Sequence, residues 1–114
     1  MSEKRLNQVN QLIQREIADI ILKEIEFPLG CLVTVTRVKT SVDIAFARVC
    51  LSVLPVSFAD PALKILEKNI YHLQQVLNKR LVMRCVPKIM FRLDTVEQEV
   101  ESVNKLLDKI KKQD

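Results

Sequence analysis

The chain has little glycine and few aromatic side chains. Gly30 is the single glycine among 114 residues, and only 4% of the residues are Phe, Trp or Tyr. The P-loop and the dinucleotide-binding fingerprint need several closely spaced glycines, so the sequence excludes both kinds of phosphate cradle. The low aromatic content also argues against a sheet that stacks many bases on its rings.

Cysteine and histidine are equally sparse, and their spacing argues against an enzyme or a metal site. Cys31, Cys50 and Cys85 show no C-x-x-C spacing, so we predict neither a zinc site nor a paired disulfide set, but reduced and at least partly buried thiols. His72 is the only histidine and shows no obvious partner. A cysteine nucleophile activated by it would lack a third, orienting group. We therefore expect no catalysis, no metal and no cofactor.

No apolar run is long enough to span a bilayer, and the charged first residues lack the apolar stretch of a signal peptide. With 48% hydrophobic and 28% charged residues, the composition is globular. We expect a single cytoplasmic domain over residues 1–114 with a frayed end at 110–114, acting as a monomer with no membrane and no small-molecule substrate as partner.

Hydrophobic periodicity predicts an α+β fold with the order α-β-β-α-β-α. Helical spacing covers residues 4–26, which pack on a core or dock on a partner, and Pro28 and Gly30 end that helix. Residues 32–39 and 44–54 alternate as two strands of an antiparallel hairpin, and residues 88–94 form a third strand. Thr95 and Gln98 match a capping box that opens a last helix to about residue 110. The long helix before the third strand implies a mixed three-stranded sheet with helices on one face.

That long helix, over residues 60 to 81 or 82, has one apolar and one basic side. Asp60 is the predicted N-cap and Pro61 the first helical residue. Leucine and isoleucine recur at steps of three and four on one side, and polar residues lie opposite: Lys64, Lys68, His72, Gln75 and Lys79.

The net charge of +4 is concentrated in this region. Residues 61–93 contain seven basic residues against Glu67 alone, whereas residues 1–60 are balanced at seven of each sign. Such a concentration indicates an anionic partner, although a solvated helix face gives the same pattern. Tyr71 either stacks on an unpaired base or caps the edge of the core. The candidate RNA-binding residues are Lys64, Lys68, Tyr71, His72, Lys79, Arg80, Arg84 and Lys88, with Arg92 further along the third strand.

Residues spread over nearly the whole chain match the pattern of a known family: Leu12, Ile13, Arg15, Glu16 and Ile17, Pro28 and Gly30, Val33 to Thr36, Ser41 and Asp43, Ala47 to Val49, Ser52 to Leu54, Lys79 to Leu81, Arg84, Pro87, Ile89, Phe91 and Asp94. On these residues the sequence resembles the ribosome-binding factor A family.

The resemblance implies a type II KH-like domain that binds small-subunit precursor rRNA in the cytoplasm and assists late subunit maturation without catalysis. It also implies a helix kink at an Ala-x-Gly sequence in place of the KH GxxG loop. Asn69, Ile70 and Tyr71 occupy that position here, and Leu29 replaces an arginine common in the family. The alternative function is a helical protein-interaction adaptor, whose binding would depend little on salt.

Overall fold

The elements follow one another in the order α-β-β-α-α-β. The structure, a computed structural model, describes residues 3–94. Its elements are α1 (Glu3–Glu24), β1 (Leu32–Thr40), β2 (Phe46–Leu54), α2 (Ala59–Lys68), α3 (Ile70–Arg80) and β3 (Lys88–Leu93), with a short 3-10 turn at Val56–Phe58. The helix predicted from Thr95 onward lies outside the described residues.

The three strands form one mixed sheet in the order β1-β2-β3. β1 and β2 pair antiparallel, with a register shift between Val35 and Arg37, whereas β2 and β3 pair parallel. A parallel neighbour needs a crossover connection, which α2 and α3 supply. The predicted hairpin, the mixed sheet and the α+β class are confirmed.

The core lies between the helices and one face of the sheet. Ile13, Ile17 and Ile20 of α1 are fully buried, as are Leu73 and Leu77 of α3. Their spacing of three and four residues places each set on one side of its helix. The inward positions of the strands complete this core with Val35, Val38, Ala47, Val49, Leu51, Ile89 and Phe91.

Gly30 ends the turn after α1 with φ +83°, in the left-handed region that favours glycine. The helix itself ends at Glu24, so Pro28 and Gly30 lie in the connection beyond it and do not end it as predicted. The prediction of at least partly buried cysteines is wrong for Cys85, which is exposed, and agrees with Cys31 and Cys50. Cys50 is 5% exposed although it alternates onto the sheet face opposite the helices. Cys50 sits on the middle strand between Arg37 and Arg92, whose long aliphatic stems flank a small side chain.

The second helix also begins earlier than predicted. Phe58 is its N-cap, without a side-chain hydrogen bond, and Ala59 is its first residue, so Asp60 and Pro61 take the second and third positions. The preceding 3-10 turn, closed by the Phe58 N–H to the Pro55 carbonyl at 2.9 Å, leads straight into the helix and makes an Asp60 cap unnecessary.

The long predicted helix is two helices, because the chain leaves helical geometry at Asn69. Asn69 has φ −103° and ψ 11°, between the end of α2 and the start of α3. The basic side that the sequence predicts for one long helix is therefore divided between α2 and α3.

Candidate nucleic-acid interface

Asn69 interrupts the helix through its own side chain. Its amide Nδ2 donates to the Ile65 carbonyl at 2.7 Å, and its backbone N–H points at the Ile65 and Leu66 carbonyls at 3.2 and 3.1 Å. Asparagine competes in this way with the regular ladder, which disfavours it inside helices. The interruption falls where the resemblance places the kink, although neither the alanine nor the glycine of the family pattern is present.

Five of the candidate residues on these two helices are exposed, and four of them form no hydrogen bond or ion pair with α1. Lys64 and Lys68 lie one turn apart on α2, and Tyr71 and Lys79 lie on α3. None of the three lysines forms an ion pair with another residue between 3 and 94. Tyr71 is 75% exposed, so its ring does not cap the core. These four residues are called the helix basic group below.

His72 has a partner that the sequence did not reveal. Its Nε2 lies 2.7 Å from Oε1 of Glu24, at the end of α1. The contact is a hydrogen bond that becomes an ion pair when the imidazole is protonated. The prediction of a histidine without a partner is wrong, because Glu24 is 48 residues away in sequence and is brought near only by the packing of α1 against α3.

Arg80 joins the same two helices. Its Nη1 donates to Asp19 Oδ2 at 2.8 Å and to Glu16 Oε1 at 3.1 Å, and the arginine side chain is 30% exposed. The bond to Asp19, followed by that to Glu16, raises the pKa of Arg80, while the bond from Arg80, followed by that from Lys23, lowers the pKa of Asp19. Arg80 therefore ties α3 to α1, and we do not count it among the cations open to a ligand.

The last two candidates lie beyond α3. Arg84 is exposed in the connection that leads to β3, and Lys88 is the exposed first residue of β3. Because Ile89 and Phe91 point to the core, Lys88 points to the other face of the sheet. The eight candidates thus do not form one surface. Four compose the helix basic group, two contact α1, Arg84 lies in the connection to β3, and Lys88 lies on the sheet face that the helices leave uncovered.

That uncovered face carries further cations that sequence reasoning missed. One row of neighbours crosses all three strands and consists of Lys39 of β1, Arg48 of β2 and Met90 of β3. Phe46 of β2 is paired with Lys88 of β3. The six residues named the open sheet face below are Lys39, Phe46, Arg48, Lys88, Met90 and Arg92. A groove of about 480 Å³ lies at one end of this face, lined in part by Lys39, Phe46, Arg48 and Met90.

The turn between β1 and β2 shapes that end of the face. The Ser41 hydroxyl donates to Asp43 Oδ1 at 2.7 Å and accepts from the Ala45 and Phe46 N–H groups at 3.1 and 3.0 Å. The bond from Ser41, followed by that from the Ala45 N–H, lowers the pKa of Asp43. These bonds hold Ile44 at φ 59°, which a β-branched residue rarely adopts, and fix where Phe46 enters the strand.

Within residues 3–94, no three His, Cys, Asp or Glu side chains are grouped to hold a metal ion. No helix of the same region has both the length and the apolar character needed to cross a membrane.

The order α-β-β-α-α-β, with a helix interruption where a KH domain has its loop, defines residues 3–94 as a type II KH-like domain. The crystal structure of ribosome-binding factor A from Thermus thermophilus has the same fold, with a TM-score of 0.68 and 24% identity over 77% of this chain and 94% of that one. A homology model of the Thermus thermophilus factor, fitted into the cryo-electron microscopy map of a 30S–RbfA complex, has a TM-score of 0.63 and 24% identity. The match covers 75% of this chain and 90% of that one.

Sequence comparison assigns the family. The model of ribosome-binding factor A matches residues 5–107. The ribosome-binding factor A of Bdellovibrio bacteriovorus is 34% identical over 108 residues, covering 94% of this chain and 81% of that protein. That of Chlamydia abortus is 32% identical over 114 residues, covering 97% and 95%. The chain belongs to the ribosome-binding factor A family, and the resemblance seen in the sequence is confirmed.

Proposed function

We propose that this protein binds the small ribosomal subunit and assists its maturation. The observation that carries the proposal is membership of the ribosome-binding factor A family over residues 5–107. A structural relative is described in a 30S complex, which supports the same partner. The adaptor alternative is not favoured, because nothing in the family match points to it.

We further propose that the contact is made with rRNA through the helix basic group. Lys64, Lys68 and Lys79 are exposed and form no ion pair within residues 3–94, so binding a phosphate requires no internal contact to break. Tyr71, three residues after Lys68 in the chain and 75% exposed, offers a ring on which an unpaired base can stack. A role confined to solvation would leave the subunit affinity unchanged when these lysines are replaced.

The proposal extends to the oligomeric state and location of the protein and to the roles of His72 and Arg80. The protein acts as a single-domain monomer in the cytoplasm, without catalysis, cofactor or small-molecule substrate. His72 and Arg80 serve the fold rather than the ligand, because Nε2 of His72 is bonded to Glu24 and Nη1 of Arg80 to Asp19 and Glu16 of α1.

Co-sedimentation with purified ribosomal subunits tests the function. The wild-type protein should pellet with small subunits and not with large ones. The charge reversal Lys64→Glu/Lys68→Glu/Lys79→Glu should keep the fold, because all three side chains are exposed, and should abolish co-sedimentation.

A control for the position of the charges comes from α1, where Lys4 and Arg15 are exposed cations outside the helix basic group. The variant Lys4→Ala/Arg15→Ala should still pellet with small subunits. Equal binding of the wild type to large subunits would contradict the function, and retained binding by the triple variant would remove the helix basic group from the interface.

A further inference from the structure

The open sheet face is basic on all three of its strands. Lys39, Arg48, Lys88 and Arg92 are exposed and form no ion pair with any residue between 3 and 94. The strands themselves contain no Asp or Glu. The carboxylate of Asp94, which follows β3, already contacts Thr36 at 2.6 Å and Arg37 at 3.6 Å.

Two of these cations face each other at a cost to the fold. Lys39 and Arg48 are directly opposite in the β1–β2 register. Side chains so placed have Cβ atoms roughly 5 Å apart, and like charges at that position destabilise a sheet. Both side chains point away from the core. A bound anion would turn this repulsion into two attractive contacts.

An exposed aromatic ring lies among the charges. Phe46 is 49% exposed, pairs with Lys88 across β2 and β3, and lines the groove of about 480 Å³ together with Arg48 and Met90. A ring bordered by cations matches the two demands of an unpaired nucleotide, which stacks its base and places its phosphate on positive charge. An acidic protein surface would satisfy the cations but would give the exposed ring no partner.

We propose that the open sheet face binds an unpaired stretch of RNA, with phosphates on Lys39, Arg48, Lys88 and Arg92 and a base against Phe46. The inference rests on the proposed function, and it adds a second RNA contact on the side of the sheet opposite the helices. Lys88 and Arg92 are four residues apart on β3, which spaces them by about 13 Å along the strand. The face therefore spans more than one nucleotide.

Fluorescence anisotropy with a short labelled oligouridylate tests this inference. The variant Lys39→Ala/Arg48→Ala should bind at least about tenfold more weakly at low salt, and its log–log salt slope should be shallower by about 1.4, for two lost contacts to a single strand. The double variant should melt no lower than the wild type, because it removes the like-charge pair. The control Lys4→Ala/Arg15→Ala should bind as the wild type does.

The aromatic contact has its own readout. Phe46→Ala should weaken binding by about fivefold or more, the lower end of what one base–aromatic stack contributes. The same substitution should have no effect on binding of an abasic oligomer, which has phosphates but nothing to stack.

Amide NMR shifts of the wild-type protein, titrated with the oligomer, check the surface without any substitution. Shifts should cluster at Lys39, Phe46, Arg48 and Met90. Three results would overturn the inference: no binding of the oligomer, shifts confined to α2 and α3, or displacement by polyglutamate as effectively as by unlabelled oligouridylate, which would mean a site for any polyanion. Subunit co-sedimentation separates the two proposals. A wild type that pellets with small subunits but fails these tests refutes only the sheet-face inference, whereas one that does not pellet refutes the function.

Discussion

The salt dependence of subunit binding should report how many phosphates the helix basic group neutralises. Lys64, Lys68 and Lys79 are its exposed cations, and each is counted as one phosphate contact. Each phosphate contributes about −0.7 to the log–log slope on single strands and about −0.9 on a duplex. The variant Lys64→Ala/Lys68→Ala/Lys79→Ala should therefore have a slope shallower than that of the wild type by about 2 to 3. Contacts made elsewhere add equally to both proteins and cancel in this difference.

In terms of affinity, raising the salt from about 50 to about 200 mM should weaken the wild type roughly 20- to 40-fold more than the triple alanine variant. The assay is anisotropy of the labelled protein titrated with small subunits across a potassium chloride series. Lys4→Ala/Arg15→Ala, which removes exposed charge from α1, should leave the slope unchanged. Equal slopes for the wild type and the triple variant would refute the assignment of phosphates to these lysines. A slope near zero for the wild type would favour the adaptor.

Three further predictions concern the fold. Asp19 has a folded pKa below its ordinary 3.8, so its contact with Arg80 stabilises the fold fully above pH 3.8, and this stability is lost as the pH falls through the folded pKa. In thermal melts between about pH 2 and 5, the melting temperature of Arg80→Ala should therefore fall less steeply with acid than that of the wild type. Leu73→Ala should lower the free energy of unfolding by about 2–5 kcal/mol in urea denaturation, because Leu73 is fully buried between the helices and the sheet. Thr40→Val should raise it by about 1 kcal/mol, since the buried Thr40 hydroxyl finds no hydrogen-bond partner in the described chain; an unchanged or lower value would mean that the hydroxyl is satisfied.

Hydrophobic periodicity was enough to predict the first helix, the three strands and the core-facing side of the helical segment after them, but not the division of that segment into α2 and α3. Leu66, Leu73 and Leu77 recur at helical spacing, and Ile89 and Phe91 alternate, so each reveals its core face without tertiary information. The interruption at Asn69 is a local event as well, since the side chain bonds a carbonyl four residues back. The family resemblance predicted the position of this interruption, and the hydrogen bond of the Asn69 side chain explains it.

The surface was harder to predict, because charge counted along the chain does not show which charges face each other. Residues 1–60 balance to zero, yet Glu16, Asp19 and Glu24 lie on α1, whereas Lys39 and Arg48 lie on the open sheet face. The fold thus places these three carboxylates on the helix side of the sheet and these two cations on the face opposite the helices. The α1 carboxylates then engage His72 and Arg80 from the basic segment, a pairing across 48 or more residues that no local pattern contains.

Site-specific photocrosslinking tests the central claim most directly, which is that α2 and α3 face rRNA in the subunit complex. With p-benzoylphenylalanine in place of the exposed Tyr71, irradiation of the complex with small subunits should crosslink the protein to RNA. The same photoreactive residue in place of Arg15 on α1 should give little RNA crosslinking. Crosslinks from position 71 to ribosomal proteins alone, or RNA crosslinks of equal yield from position 15, would contradict the account.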